Sequence, residues 1–111
     1  MDIKERVVGG VSILDLSGKV VLGEGDLQMK QRIKDLLADG QKRILLNLAD
    51  VNYIDSAGLG SLISAYTTSK REGASLKLVN LTKRIQNLLA ITKLITVFET
   101  FDTEPEALAS F

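Results

Sequence analysis

The sequence predicts an α/β fold: a mixed, mostly parallel central sheet of about five strands, opened by an N-terminal hairpin, with helices packed on it in the order ββαβαβαβα. Three observations lead there. Residues 2–17 hold two short Val- and Ile-rich segments split by Gly9-Gly10. From residue 26 onward, stretches with apolar residues at helical spacing alternate with short apolar runs. Glycines stand at the joints, and proline occurs once, at Pro105, so nothing marks a linker inside the single domain expected over residues 1–111.

The elements follow in order. Paired glycines accept the positive φ of a two-residue hairpin turn, so residues 2–8 and 11–17 read as antiparallel strands. In the second, Val11, Ile13 and Asp15 face one way and Ser12, Leu14 and Leu16 the other, as in a strand covered on both sides. Residues 19–25 (KVVLGEG) read as a loop, and a helix is expected from Asp26 to Asp39. Met29, Ile33, Leu36 and Leu37 form its apolar face, and Gly40 closes it. The continuous run at residues 43–48 (RILLNL) fits a buried central strand. A helix over residues 56–72 carries Leu59, Leu62, Ile63 and Tyr66 on one stripe and ends at Gly73. Residues 75–80 read as a strand, and Thr82 caps a helix bearing Ile85, Leu88 and Leu89. Residues 96–101 (TVFETF) read as the last strand. Thr103-Glu104-Pro105-Glu106 is a capping box opening a short helix with Leu108 and Phe111.

Composition excludes several functions. The 14 basic and 14 acidic residues balance overall and in each half of the chain, so no basic face for nucleic acid is expected. There is no cysteine and no histidine. That removes thiol chemistry, disulfides, the usual zinc ligands and a Ser-His-Asp triad. Neither a secretory signature nor a long apolar run is present, so a cytoplasmic protein without membrane insertion is expected. No GK[ST] phosphate loop occurs, and Gly23-Glu24-Gly25 alone is a very weak glycine loop.

The most informative stretch is DSAGLG, residues 55–60. Asp55 or Ser56 suits an N-cap, and Ala57 and Gly58 suit a tight strand-to-helix turn. Two details go further. Gly58 and Gly60 together forfeit about 2 kcal/mol of helix propensity. Bare backbone at a helix N-terminus also lets a ligand approach, and that end attracts anions. Ser61, Ser64 and Thr68 continue a strip of small side chains beside Ala57 and Gly60. The strip is either an ordinary solvated face or a protein-docking surface with Ser56 at its edge. Ser56 as a nucleophile has no histidine base and no G-x-S-x-G elbow, so no enzyme is expected.

The run ILLNLADVNYIDSAGLGSLISAY, with the hairpin before it and LKLVNLTKRIQNLLAITKL after it, resembles the STAS domain (sulfate transporter and anti-sigma factor antagonist) over essentially the whole chain. In particular it resembles the small free-standing bacterial anti-sigma factor antagonists, through the D-S-[AS]-G-[LI]-G core. The resemblance implies a phosphoprotein that regulates transcription through protein–protein interaction. The serine after the aspartate, here Ser56, is phosphorylated in that family by a serine kinase that is itself the anti-sigma factor. The unphosphorylated antagonist binds this kinase and frees a sigma factor; the phosphorylated form lets go, and a serine phosphatase resets it. ATP and Mg²⁺ belong to the kinase, so no cofactor is expected on this chain. The partner-binding set implied is Asp55, Ser56, Ala57, Gly58, Gly60, Ser61, Ser64 and Thr68. Many family members carry an acidic residue where Lys19-Val20-Val21-Leu22 stands, and often an aspartate at the place of Asn47. Val20-Val21-Leu22 reads as core or as partner surface. The alternative function is a non-phosphorylated STAS adaptor or scaffold subunit docked on a transporter ATPase or a stress-signalling complex.

Overall fold

The computed structural model describes residues 1–111, the side chain of Glu24 excepted. Strand β1 (Asp2–Val8) and strand β2 (Val11–Val20) pair antiparallel, with Val8 opposite Val11 and Asp2 opposite Ser17. Gly9 and Gly10 make the turn at φ 56° and 80°, the left-handed pair that a tight hairpin needs. Helix α1 (Glu24–Ala38) leads to strand β3 (Arg43–Ile54), helix α2 (Ser56–Arg71) to strand β4 (Ser75–Val79), and helix α3 (Lys83–Ile91) to strand β5 (Thr100–Phe101). Helix α4 (Glu104–Ala109) follows. The spatial order of the sheet is β1-β2-β3-β4-β5, and every pair after the hairpin is parallel.

That order dictates the layers. Right-handed crossovers between strands that advance in one direction place every crossover helix on the same face. The main core accordingly lies under α1, α2 and α3, where Leu14, Ile33, Leu46, Leu62, Ile85 and Leu89 meet. The opposite face carries a smaller cluster, Val11, Ile13, Leu45 and Val79, covered by Ala107 of α4. Alternate residues of β2 thus go to opposite cores, as the sequence pattern predicts.

Helix ends also follow local rules. Gly40 at φ 84° closes α1, with Gln41 N–H donating to the Leu36 carbonyl at 3.0 Å. Gly73 at φ 75° closes α2, with Ala74 N–H donating to Ser69 at 2.8 Å. Thr82 caps α3 by accepting from Ile85 N–H, and Thr103 caps α4 by accepting from Glu106 N–H.

Four boundaries depart from the sequence reading. Residues 19 and 20 are strand rather than loop, and α1 begins at Glu24 rather than Asp26. Register shifts between Asp15 and Ser17 and between Gly18 and Lys19 interrupt the alternation, and they turn Val20 into the main core. Strand β3 runs beyond residue 48 to Ile54, because Val51 and Ile54 resume core contact after the exposed Ala49 and Asp50. Residues 96–101 yield only a two-residue strand, since the chain turns at residues 95–97 and Phe98 drops into the main core, edge-on to Tyr66.

The position of α2 depends on a contact that only glycine allows. A Cβ at Gly58 would stand 1.9 Å from the Val20 carbonyl oxygen and 2.8 Å from its carbon. The first turn of α2 therefore rests directly on the end of β2. Gly60, by contrast, has nothing within 4 Å of where its Cβ would be. The two glycines should respond oppositely to alanine. Gly58→Ala is expected to cost about 2–3 kcal/mol or more through backbone overlap. Gly60→Ala should raise stability by about 1 kcal/mol through helix propensity. Urea denaturation of the two variants measures both; a harmless Gly58→Ala would show that the contact is not a constraint.

Candidate functional site

The site is built where β3 ends and α2 begins. Asp55 is extended, with φ −100°, and its Oδ1 accepts from Gly58 N–H at 2.8 Å. It is therefore the N-cap, which resolves the choice between Asp55 and Ser56. Its other oxygen, Oδ2, accepts from Leu22 N–H at 3.0 Å, and Asp55 N–H donates to the Val20 carbonyl at 3.4 Å. One carboxylate thus joins the helix start to the β2–α1 connection. The N–H groups of Leu22 and then Gly58 favour its ionised form and hold its pKa below the ordinary aspartate value.

Because Asp55 supplies the cap, Ser56 does not have to. Ser56 occupies the first helical position and is exposed. Among the described residues, none forms a hydrogen bond with its hydroxyl. The hydroxyl stands in solvent beside a helix N-terminus, where the backbone dipoles present partial positive charge.

The strip of small side chains divides. Gly60 and Ser64 are exposed on the same side as Ser56, at the four-residue spacing of one helix face. Ala57 and Thr68 are half-buried, and Thr68 borders a narrow crevice with Lys30 and Lys34 of α1. Gly58 and Ser61 are buried. The expectation that Ser61 lies on an outward surface is corrected here: α1 packs on that side of α2, and Ser61 Oγ donates to Asp26 Oδ2 at 3.4 Å. Gly58 likewise admits the chain's own strand β2 rather than a ligand. Ser56, Gly60 and Ser64 form the outward edge of the strip.

Sequence reasoning missed two contributors. Asp26 is buried between α1 and α2, and its Oδ1 has no hydrogen-bond partner among the described residues. Gly25, beside it, lets the first turn of α1 approach Lys19, since a Cβ would stand 2.5 Å from the Lys19 carbonyl oxygen. The signal was Gly25 of the Gly23-Glu24-Gly25 stretch, read above as a very weak glycine loop and not as a close backbone contact. The second is Tyr53; with Leu22, already read as core or partner surface, it is one of two exposed apolar side chains adjoining the cap through the chain or a hydrogen bond. Leu22 is 76% exposed and bonded through its N–H to the cap; Tyr53, two residues before Asp55, is 43% exposed. Arg84 lies over the Tyr53 ring at 5.9 Å and donates to the Asn52 carbonyl at 3.3 Å. Of the segment Val20-Val21-Leu22, Val20 is core and Leu22 is surface.

Asn47 makes a neutral bridge. Its Nδ2 donates to Asp15 Oδ1 at 2.8 Å, while its Oδ1 accepts from Asn80 Nδ2 at 3.1 Å. An aspartate there would place a second carboxylate against Asp15.

Comparison with known proteins agrees with this architecture. The pattern that defines the STAS domain matches residues 2–107. The Anti-sigma-B factor antagonist of Bacillus subtilis (strain 168) is 38% identical over 63 residues, 57% of this chain and 58% of that protein. The crystal structure of a Thermotoga maritima protein, provisionally identified as an anti-sigma factor antagonist, superposes with a TM-score of 0.90 at 27% identity, covering 97% of this chain and 92% of that one. The Bacillus cell fate determinant SpoIIAA in its phosphorylated form shares the fold, with a TM-score of 0.75 at 17% identity over 98% of each chain. From the first strand of the hairpin into the last helix, the chain belongs to the STAS domain family.

Proposed function

We propose that this protein is an anti-sigma factor antagonist whose binding is switched by phosphorylation of Ser56. The observation that carries the reading is the division of labour at the start of α2: Asp55 caps the helix, and the Ser56 hydroxyl is left exposed. In the proposed cycle the unphosphorylated protein binds an anti-sigma factor that is also a serine kinase, and a sigma factor is released. The kinase brings ATP and Mg²⁺ and transfers the γ-phosphoryl group to Ser56 Oγ, which gives up its proton. A serine phosphatase removes the group by hydrolysis. The anti-sigma-B factor antagonist of Bacillus subtilis, by its name, acts on an anti-sigma factor, which supports the same class of partner here.

The docking surface in this reading centres on Ser56, Gly60 and Ser64, with Ala57 and Thr68 at its margin and Leu22, tied to the Asp55 cap, beside it. Gly60 supports it, because the fold supplies no packing reason for a glycine there. Gly58, Ser61 and Asp55 act from beneath: they set the height and direction of the helix start. A phosphate carries a charge of about −1.5 to −2. On the free protein it would meet the positive helix end and the negative Asp55 together, so the fold changes little. At an interface it would add uncompensated charge, and a loss of about 3 kcal/mol there lowers affinity more than a hundredfold.

Two outcomes test this. Ser56→Asp is expected to keep the far-UV circular dichroism of the parent and to shift stability by no more than about 0.5 kcal/mol; a molten variant would contradict a modification that the fold accepts. Intact mass and site mapping on protein isolated from its own cells, in growth and in stress, should show a phosphate on Ser56 whose occupancy changes. An unmodified Ser56 under both conditions, with a stable partner co-purifying, would favour the adaptor reading.

A further inference from the structure

The buried apolar side chains form two clusters on opposite faces of the sheet. Among the described residues, the smaller is covered by the C-terminal segment and its neighbour Phe101: Ala107 of α4 covers Val11, Ile13, Leu45 and Val79, with Phe101 of β5 and Leu108 and Phe111 around them. Helix α4 has six residues, far below the length at which an isolated helix persists in water. Its stability is therefore borrowed from what holds it down, and it is held at both ends.

At the N-terminal end, Arg6 of β1 donates from Nη1 to Glu104 Oε2 at 3.1 Å and from Nη2 to Glu104 Oε1. The same guanidinium donates from Nε to Asp15 Oδ2 at 2.7 Å, so it is fixed to the sheet before it reaches the helix. At the C-terminal end, Lys77 is 7% exposed, and its Nζ donates to the Ser110 carbonyl at 2.8 Å and to Ser110 Oγ at 3.0 Å. It also pairs with Glu99 at 3.1 Å and lies 4.6 Å from the centroid of the Phe111 ring. Upstream, Phe98 is anchored in the main core, whereas Asp102 and Thr103 are exposed. A hinge at residues 102–103 can thus swing the segment without disturbing Phe98.

We propose that residues 102–111 are a hinged cover that opens as one unit while the main core stays folded, with Arg6 and Lys77 as clasps that set how often it opens. Opening bares Val11, Ile13, Leu45 and Val79, four strand residues that are at most 2% exposed when it is closed. They form an apolar sheet face of the kind on which an amphipathic helix packs, kept from solvent until the clasps release.

Amide hydrogen exchange by NMR on the whole protein tests this, using Glu104→Gln and Lys77→Met. Ala107 N–H donates to the Thr103 carbonyl and Ser110 N–H to Ala107, so both report on the segment; Leu45 and Leu46 report on the central strand. The two segment amides should share one protection factor, at least about tenfold below that of the central strand. Glu104→Gln should speed both by about tenfold or more, since a charged hydrogen bond is weakened. Lys77→Met should do the same from the other end, and neither variant should change Leu45 or Leu46. Three results would overturn the proposal. The segment could be as protected as the central strand. Glu104→Gln could speed exchange equally in the segment and in the central strand. Each variant could speed only the amide at its own end, which is fraying and not a hinged unit.

Discussion

The close crossing of α2 over the end of β2 is the contact on which the functional end of the molecule depends. Gly58 sits where any side chain would enter the Val20 carbonyl. Val20 reaches that place because two register shifts carry β2 past the point where a regular strand would have ended. Asp55 then braces the junction from the side, with one carboxylate oxygen on the helix and the other on the connection beyond β2. A helix start held on two sides by its own chain has a fixed direction. The backbone at its first exposed position, here Ser56, is thereby held in one place. Preorganisation of that kind reduces the ordering cost of binding.

The rest of the fold supports the junction without entering it. Sequential strand order places α1, α2 and α3 on one face, so α1 can press on α2 and turn Ser61 inward. The other face is closed by a short helix and by a polar seam that crosses the sheet. Arg6, Asp15, Asn47 and Asn80 pass hydrogen bonds from β1 to the end of β4. Arg6 favours the ionised carboxylates of Asp15 and Glu104, and both titrate below their ordinary values. Their contribution to stability is present above the usual carboxylate pKa and lost as pH falls through the lowered folded values. Near neutral pH Asp15 and Glu104 are both ionised against Arg6.

Much of this was legible in the sequence because it is local. Gly9-Gly10 specifies its turn, Gly40 and Gly73 specify helix ends, and Thr82 and Thr103 announce their caps. Apolar spacing located α1, α2 and α3. What failed was non-local. A bulge changes which residues face the core without leaving a compositional mark, so β2 and β3 both ran longer than alternation suggested. Phe98 left the strand expected over residues 96–101 because Tyr66, far away in sequence, offered it a packing site. Ser61 and Ser64 are the same residue three positions apart on one helix, and only the placement of α1 makes one of them interior. Glycine is the sharpest case: Gly58 and Gly60 look equivalent in DSAGLG, yet one is required by backbone contact and the other by nothing within the chain.

That asymmetry bears on how a charge at Ser56 could change binding while sparing the fold. At the first position of a helix an anion gains about 0.3–1 kcal/mol from the N-terminal dipoles. Asp55, adjacent and ionised, opposes it. The two oppose each other, and each is a surface effect, small against a folding free energy of about 5–15 kcal/mol. An interface has no such balance. In the proposed complex a phosphate would have to shed water against a surface settled on Gly60 and Ser64, and desolvating an unpaired charge costs several kcal/mol. The small side chains that let a partner lie close are also those that bring it close to the new charge. Steric access and electrostatic sensitivity then have one origin, the bare outer edge of α2 beside an exposed serine.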